Sequence, residues 1–135
     1  MKLTIIRLQN FTDQDRLDLA KIWPEADLVA LEASLDEHQQ VWAAKFNDRL
    51  LAAVHASIAG TQGELKDFMV REVTRRRGVG SYLLNDLLAQ NPGIVQWWIA
   101  DRQVEDREVM AAFMHQAGFI AQVGGWGFLA QYRAD

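Results

Sequence analysis

The stretch Arg71-Glu-Val-Thr-Arg-Arg-Arg-Gly-Val-Gly-Ser-Tyr-Leu-Leu-Asn-Asp-Leu-Leu88 sets three consecutive arginines against two glycines. It then runs at once into an apolar pattern. Val79, Leu83, Leu84, Leu87 and Leu88 are spaced four, one, three and one residues apart, which is the buried stripe of a helix over 79–90. The segment before it, near 64–72, reads as a strand, so the unit is strand, Arg75-x-x-Gly78-x-Gly80, helix. Glycine has no Cβ, so the chain can turn tightly here and a ligand can approach the backbone. The first amides of the helix lack intrahelical partners, and the helix dipole favours an anion beside them. Each charge-assisted hydrogen bond contributes roughly 1.5–3 kcal/mol. Two or three of these, discounted for desolvation, support binding of about −8 kcal/mol, or micromolar. A pyrophosphate fits such a cup better than a single phosphate. The spacing is neither GxGxxG nor a P-loop, because Ser81-Tyr82-Leu83 follows Gly80 and no Gly-Lys-Ser/Thr is present. Read as structure alone, the segment is a glycine turn carrying exposed arginines.

The flanking sequence supplies alternating elements. Leu3, Ile5, Ile6 and Leu8 indicate a first strand. Thr12-Asp-Gln-Asp15 resembles a capping box and opens a helix holding Leu17, Leu19, Ile22 and Trp23, which Pro24 stops. Residues 25–38 contain five acids and no Lys or Arg, with a short helix around 28–35 and a solvated face. VWAAKF (41–46) and LLAAVHASIA (50–59) form a hairpin through Asn47-Asp48-Arg49. After helix 79–90, Asn91-Pro92-Gly93 leads to strand 94–100. A helix over 105–117 follows, with Gly118 at its C′ position. One last strand starts at Phe119 and resumes after Gly124-Gly125. The order β-α-α-β-β-β-α-β-α-β implies one α/β domain over 1–135, a mixed sheet flanked by helices.

Composition narrows the ligand. The net charge is −4, which argues against a nucleic-acid binder whose affinity comes from phosphate neutralisation. Yet Lys66, Arg71, Arg75, Arg76 and Arg77 place five of the fourteen basic residues within 66–77, which suits a small anion. There is no cysteine, so disulfides, thiolate metal ligands and a thiol nucleophile are excluded. His38, His55 and His115 are isolated, with no metal-binding spacing. The polar breaks in MKLTIIRLQNFTD and the lack of a long apolar run predict a cytoplasmic protein with no membrane partner.

The strand FMV (68–70), the Arg75-x-x-Gly78-x-Gly80 turn and AFMHQAGF (112–119) resemble the acyl-coenzyme A motifs of the GNAT acetyltransferase superfamily. KLTIIRL, FTDQDR, KIWPE, FN-x-RLLAAV, VREVTRRRGVG, NPG, WW-x-AD, VEDR and FM-x-x-x-GF, in this order, resemble the aspartate decarboxylase maturation factor (PanZ/PanM) family. Residues 26–40 depart from that pattern, and the tail beyond Trp126 is longer. The resemblance implies a GNAT fold with a mostly antiparallel sheet. It implies pantetheine binding at Phe68, Met69 and Val70, and pyrophosphate binding at Thr74, Arg75, Arg76, Arg77, Gly78, Val79, Gly80 and Ser81. The implied ligand is acetyl-coenzyme A or coenzyme A. The implied partner is aspartate decarboxylase, as proenzyme and as mature enzyme, with contacts at Lys45 and Asn47. Lysine stands at 45 where the family has arginine, which keeps the charge and loses the bidentate fork.

The resemblance also implies a role without catalysis: promotion of the decarboxylase's self-cleavage to its pyruvoyl form, and feedback on pantothenate and coenzyme A synthesis. Superfamily enzymes commonly carry an acid tyrosine four residues before the Gly of Gly-Phe, and here that position is Met114. An asparagine often found seven residues earlier is Arg107. Losing a general acid typically costs about 10²–10⁴ in rate, and a thiolate leaves tolerably well unaided. Amine N-acetyl transfer, with Glu64 or Asp67 as base, is therefore the alternative. The plainer reading of those two carboxylates is a solvated strand face.

Overall fold

The described residues of the computed structural model are 3–71, 78–101 and 107–129. They form β1 (Thr4–Leu8), α1 (Asp13–Ile22), α2 (Leu28–Ser34), β2 (Gln39–Phe46), β3 (Arg49–Ala59) and β4 (Gln62–Val70). Then come α3 (Val79–Gln90), β5 (Gln96–Ala100), α4 (Arg107–Gln116), β6 (Ile120–Gln122) and β7 (Gly125–Leu129). The strands make one sheet in the order β1-β2-β3-β4-β5-β7-β6. Every pairing is antiparallel except β4 with β5. No described helix is long and apolar enough to cross a membrane.

Local signals account for most of these elements. Thr12 caps α1 with both hydrogen bonds of the capping box, Thr12 Oγ1 accepting from Asp15 N and Asp15 Oδ2 from Thr12 N. Asn47 and Asp48 adopt φ of 50° and 63° in the β2–β3 turn, the left-handed pair that a two-residue hairpin requires. Gly118, at φ 96°, ends α4. The sequence suggests one interrupted last strand. The structure has two antiparallel strands instead, β6 and β7, turning through Val123 and Gly124. Gly124 has a φ of 84°, so the chain reverses there rather than bulging.

Because β2 is buried on both faces, it divides the core. Trp42 and Ala44 join Leu65, Leu83, Leu84, Leu87, Trp97, Ile99, Met114 and Trp126 under α3 and α4. Val41 and Ala43 join Leu8, Phe11, Leu19, Ile22, Leu50 and Ala53 under α1. Trp97 is 1% exposed and seats on Gly63, where an added Cβ would lie 2.5 Å from its ring. Trp98, its neighbour, faces the other side and stays partly exposed.

Apolar spacing misleads at one point in α1. Leu17 is 60% exposed while Asp18 is fully buried. The Asp18 carboxylate accepts from Arg49 Nε and Nη2, from Leu50 N at 2.9 Å and from Gln14 Nε2, so it ties α1 to the start of β3, just past the hairpin turn. Burial pushes its pKa up. The bonds from Arg49, Leu50 and Gln14 outweigh that and leave it below the ordinary value. A depressed folded pKa gives stability that is present above the unfolded pKa and is lost as pH falls through the folded one. Asp18→Ala should therefore cost about 1–3 kcal/mol at pH 7 by orphaning the buried Leu50 amide. Urea unfolding should show that deficit shrinking in acid, whereas a deficit of equal size at pH 3 would contradict the assignment.

Candidate ligand cleft

The one parallel pair in the sheet also ends early. β4 and β5 pair only from Gln62↔Gln96 to Leu65↔Ile99. Past that point β4 stays on β3, through Met69↔Ala53 and Val70↔Ala52, while β5 stays on β7 as far as Ala100↔Gly125. The cause lies at a bulge. His55 pairs with Lys66 and Ala53 with Met69, so Asp67 and Phe68 together oppose Val54. Asp67 takes a φ of 55°, a left-handed conformation that aspartate tolerates better than most residues. A bulge bends its own strand and sharpens the local twist, which turns β4 away from β5. The chain passes from β4 through α3 to β5. Ligands of open α/β sheets sit outside the carboxyl ends of such parallel strands.

The side chains around this opening have defined places. Phe68, Met69 and Val70 are half-buried on β4. The Phe68 ring meets Phe113 of α4 at 5.3 Å between centroids. Gly80 lies in the first turn of α3, where an added Cβ would be 3.1 Å from Val70 Cγ2 and 3.3 Å from Phe68 Cζ. Glycine thus lets the helix start press directly onto this segment. Gly78 is the N-cap, at φ 79° and ψ 5°, and among the described residues no side chain caps the helix start and no atom lies within 4 Å of where a Cβ would go. The helix start therefore presents its amides to whatever lies beyond Gly78. Val79 is 1% exposed in the core, so only its main chain can face a ligand. Ser81 is half-buried. Thr74, Arg75, Arg76 and Arg77 lie outside the described residues.

On the β5 side, Arg107 donates from Nε to Asp101 at 3.1 Å and stacks its guanidinium 5.2 Å from the centroid of the Trp126 ring. Met114 is 1% exposed inside the core, a thioether with no proton to give. Of the two carboxylates considered as bases, Glu64 is half-buried in the paired part of β4, and Asp67 is exposed at the bulge. His55 Nε2 meets Gln39 Oε1 at 2.9 Å. Burial, with Lys66 nearby and only partly offset by Asp67, holds its pKa below the ordinary value.

Lys45 and Asn47 sit at the β2–β3 hairpin tip, half-buried and exposed respectively. Arg71 N donates to Leu51 O at 2.8 Å, so the tip of that hairpin and the end of β4 share one end of the sheet. Sequence reasoning missed the bulge and one contact to it. Trp23 Nε1 donates to Asp67 O at 2.8 Å, across forty-four residues. A charged pair inside a strand run is the only local hint of the bulge, and nothing in the sequence hints at the contact. A depression of about 600 Å³ lies elsewhere, lined by Asn85, Gln116, Gly118, Ile120 and Phe128 among others. It shares no residue with the cleft.

Comparisons with known proteins agree with this fold. The family model described as "Acetyltransferase (GNAT) domain, PanZ" matches residues 2–127. The chain is 59% identical over 126 residues to the PanD regulatory factor of Escherichia coli K12, covering 93% of this chain and 98% of that one. It is 55% identical over 126 residues to the PanD regulatory factor of Salmonella typhimurium LT2, with the same coverage. The solution structure of E. coli YhhK bound to coenzyme A matches with a TM-score of 0.86 at 56% identity, over 96% of this chain and 99% of that one. The ribosomal-protein-S18-alanine N-acetyltransferase of E. coli matches with a TM-score of 0.69 at 16% identity, over 95% and 90%, a likeness of fold alone. The seven-stranded sheet with its splayed parallel pair is thus the GNAT fold, and the chain belongs to the PanZ family of GNAT domains.

Proposed function

We propose that this protein is a coenzyme A- or acetyl-coenzyme A-dependent regulator of aspartate decarboxylase. In this reading it binds the proenzyme, promotes its self-cleavage to the pyruvoyl form and restrains the mature enzyme when coenzyme A is plentiful. The observation that carries it is the match, along 93% of the chain, to relatives named as PanD regulatory factors. A cleft of acetyl-carrier type whose acid position is a buried methionine supports it. The pantetheine arm lies along Phe68, Met69 and Val70. The diphosphate rests on Thr74, Arg75, Arg76, Arg77, Gly78, Val79, Gly80 and Ser81, through the arginine side chains and the main chain of the α3 start. Lys45 and Asn47 meet the decarboxylase. Because the hairpin and the cleft share one end of the sheet, a bound carrier can itself form part of the docking surface. Carrier and partner then strengthen each other's binding by equal factors.

The test is a pull-down of the decarboxylase proenzyme with and without acetyl-coenzyme A or coenzyme A, with cleavage followed by mass spectrometry. Capture and cleavage that rise with the carrier, without loss of its acetyl group, are expected. Multiple turnovers of acetyl transfer to an amine, a peptide or the decarboxylase would instead establish the N-acetyltransferase alternative.

A further inference from the structure

The cleft depends on an aspartate held at positive φ, and one side chain from a distant element grips that peptide. Trp23 closes α1, its backbone N–H bonding to Leu19 O at 2.7 Å. Its indole crosses to β4 and donates to Asp67 O at 2.8 Å. Trp23 and Met69 both pack against the core cluster beneath α1, so the indole is held on both its apolar body and its polar tip. The carbonyl it holds belongs to the residue with φ 55°, at the register shift between β3 and β4. Three residues starting immediately after it, Phe68 to Val70, form the strand wall of the cleft.

We infer that Trp23 is a positioning residue for the carrier, fixing the bulge so that Phe68–Val70 stand in their binding conformation before the ligand arrives. This rests on the reading of the cleft given above. An aspartate in the left-handed region is less stable than one in the extended region. Without an external bond, the strand can relax toward a regular register and swing Phe68 out of place. Pre-organisation of this kind shows in affinity, because an unbraced cleft spends part of the binding free energy on ordering itself. The bond also joins the α1–α2 connection to the cleft, so filling the cleft tightens Trp23 in turn.

The test uses the full chain and coenzyme A in calorimetry. Trp23→Phe keeps an aromatic body and removes the donor, and it should weaken binding about three- to tenfold. Adding Asp67→Gly supplies a residue that takes positive φ without strain, and should recover most of that loss. A tryptophan that only filled space would show no such rescue. In the parent, the Trp23 indole proton should exchange more slowly with solvent once coenzyme A saturates the protein. This measurement stands even if the variant folds poorly. Parent-like affinity in Trp23→Phe, failure of Asp67→Gly to restore it, or an indole proton unmoved by saturation would overturn the inference. A parent that does not bind coenzyme A at all would overturn the cleft reading itself.

Discussion

Gly78→Asp should reduce affinity for coenzyme A by about 100-fold, near 2.7 kcal/mol, while leaving the fold almost intact. An added Cβ at Gly78 meets no described residue within 4 Å, so none of the described residues opposes the new side chain. The backbone cost of φ 79° is about 1 kcal/mol, since aspartate tolerates this region better than most residues. The effect on a diphosphate is much larger. Two like charges about 4 Å apart repel by about 4 kcal/mol at the effective dielectric of a protein surface. The carboxylate also competes for the amides at the α3 start, which no described side chain caps in the parent. Gly78→Asn separates charge from bulk, having the same size and the same tolerance of positive φ. Calorimetry should find the asparagine variant within about tenfold of the parent. Equal losses in the two variants would show that shape, not charge, governs the cup. Parent-like binding by the aspartate variant would remove the diphosphate from this turn altogether.

How far the site was legible in the sequence depends on whether a residue's role is local. The helix over 79–90, its buried leucines, the Thr12 capping box and the Asn47-Asp48 turn all follow from short-range rules, and the structure has each of them. The cup could be inferred because glycines at a helix start mean the same thing wherever they occur. The cleft wall could not. Asp67 reads as an ordinary polar residue in a strand until its partner register is known, and its carbonyl is gripped by a tryptophan forty-four positions away. Asp18 fails for a similar reason. A helical pattern assigns Leu17 inward and Asp18 outward. The guanidinium of Arg49 and the amide of Leu50 pull the carboxylate into the interior, and Leu17 is left at 60% exposure. Met114 was legible as a missing acid from the family pattern. Function was carried by the resemblance more than by the residues alone. A cup of this kind calls for an anion. It does not say that occupancy is passed on to a decarboxylase.

Gly124 and Gly125 look interchangeable in sequence, yet alanine should cost very different amounts at the two positions. At Gly125 an added Cβ would stand 2.9 Å from Ala100 Cα and nearly upon the carbonyl oxygen of Ile99. These are main-chain atoms of β5, so no rotamer change can relieve the conflict. The two strands must separate at Ala100↔Gly125. Overpacking costs about 1–3 kcal/mol where side chains can adjust, so a clash against a paired strand belongs at or above the upper end. Gly125→Ala should lose about 3 kcal/mol or more in urea unfolding. Gly124, at φ 84°, has no described atom within 4 Å of an added Cβ, and Gly124→Ala should lose only about 1 kcal/mol, the cost of the left-handed backbone. The larger loss should reach the ligand too. β5 is the wall facing Phe68–Val70, and β7 carries Trp126 beneath Arg107. Separating the strands at this end therefore disturbs the side of the cleft that the Asp67 bulge does not set. Gly125→Ala should weaken coenzyme A binding, and Gly124→Ala should leave it unchanged. The reverse order of stabilities would mean that β5 and β7 do not pair in this register, and the splay that makes the cleft would have to be explained by the bulge alone.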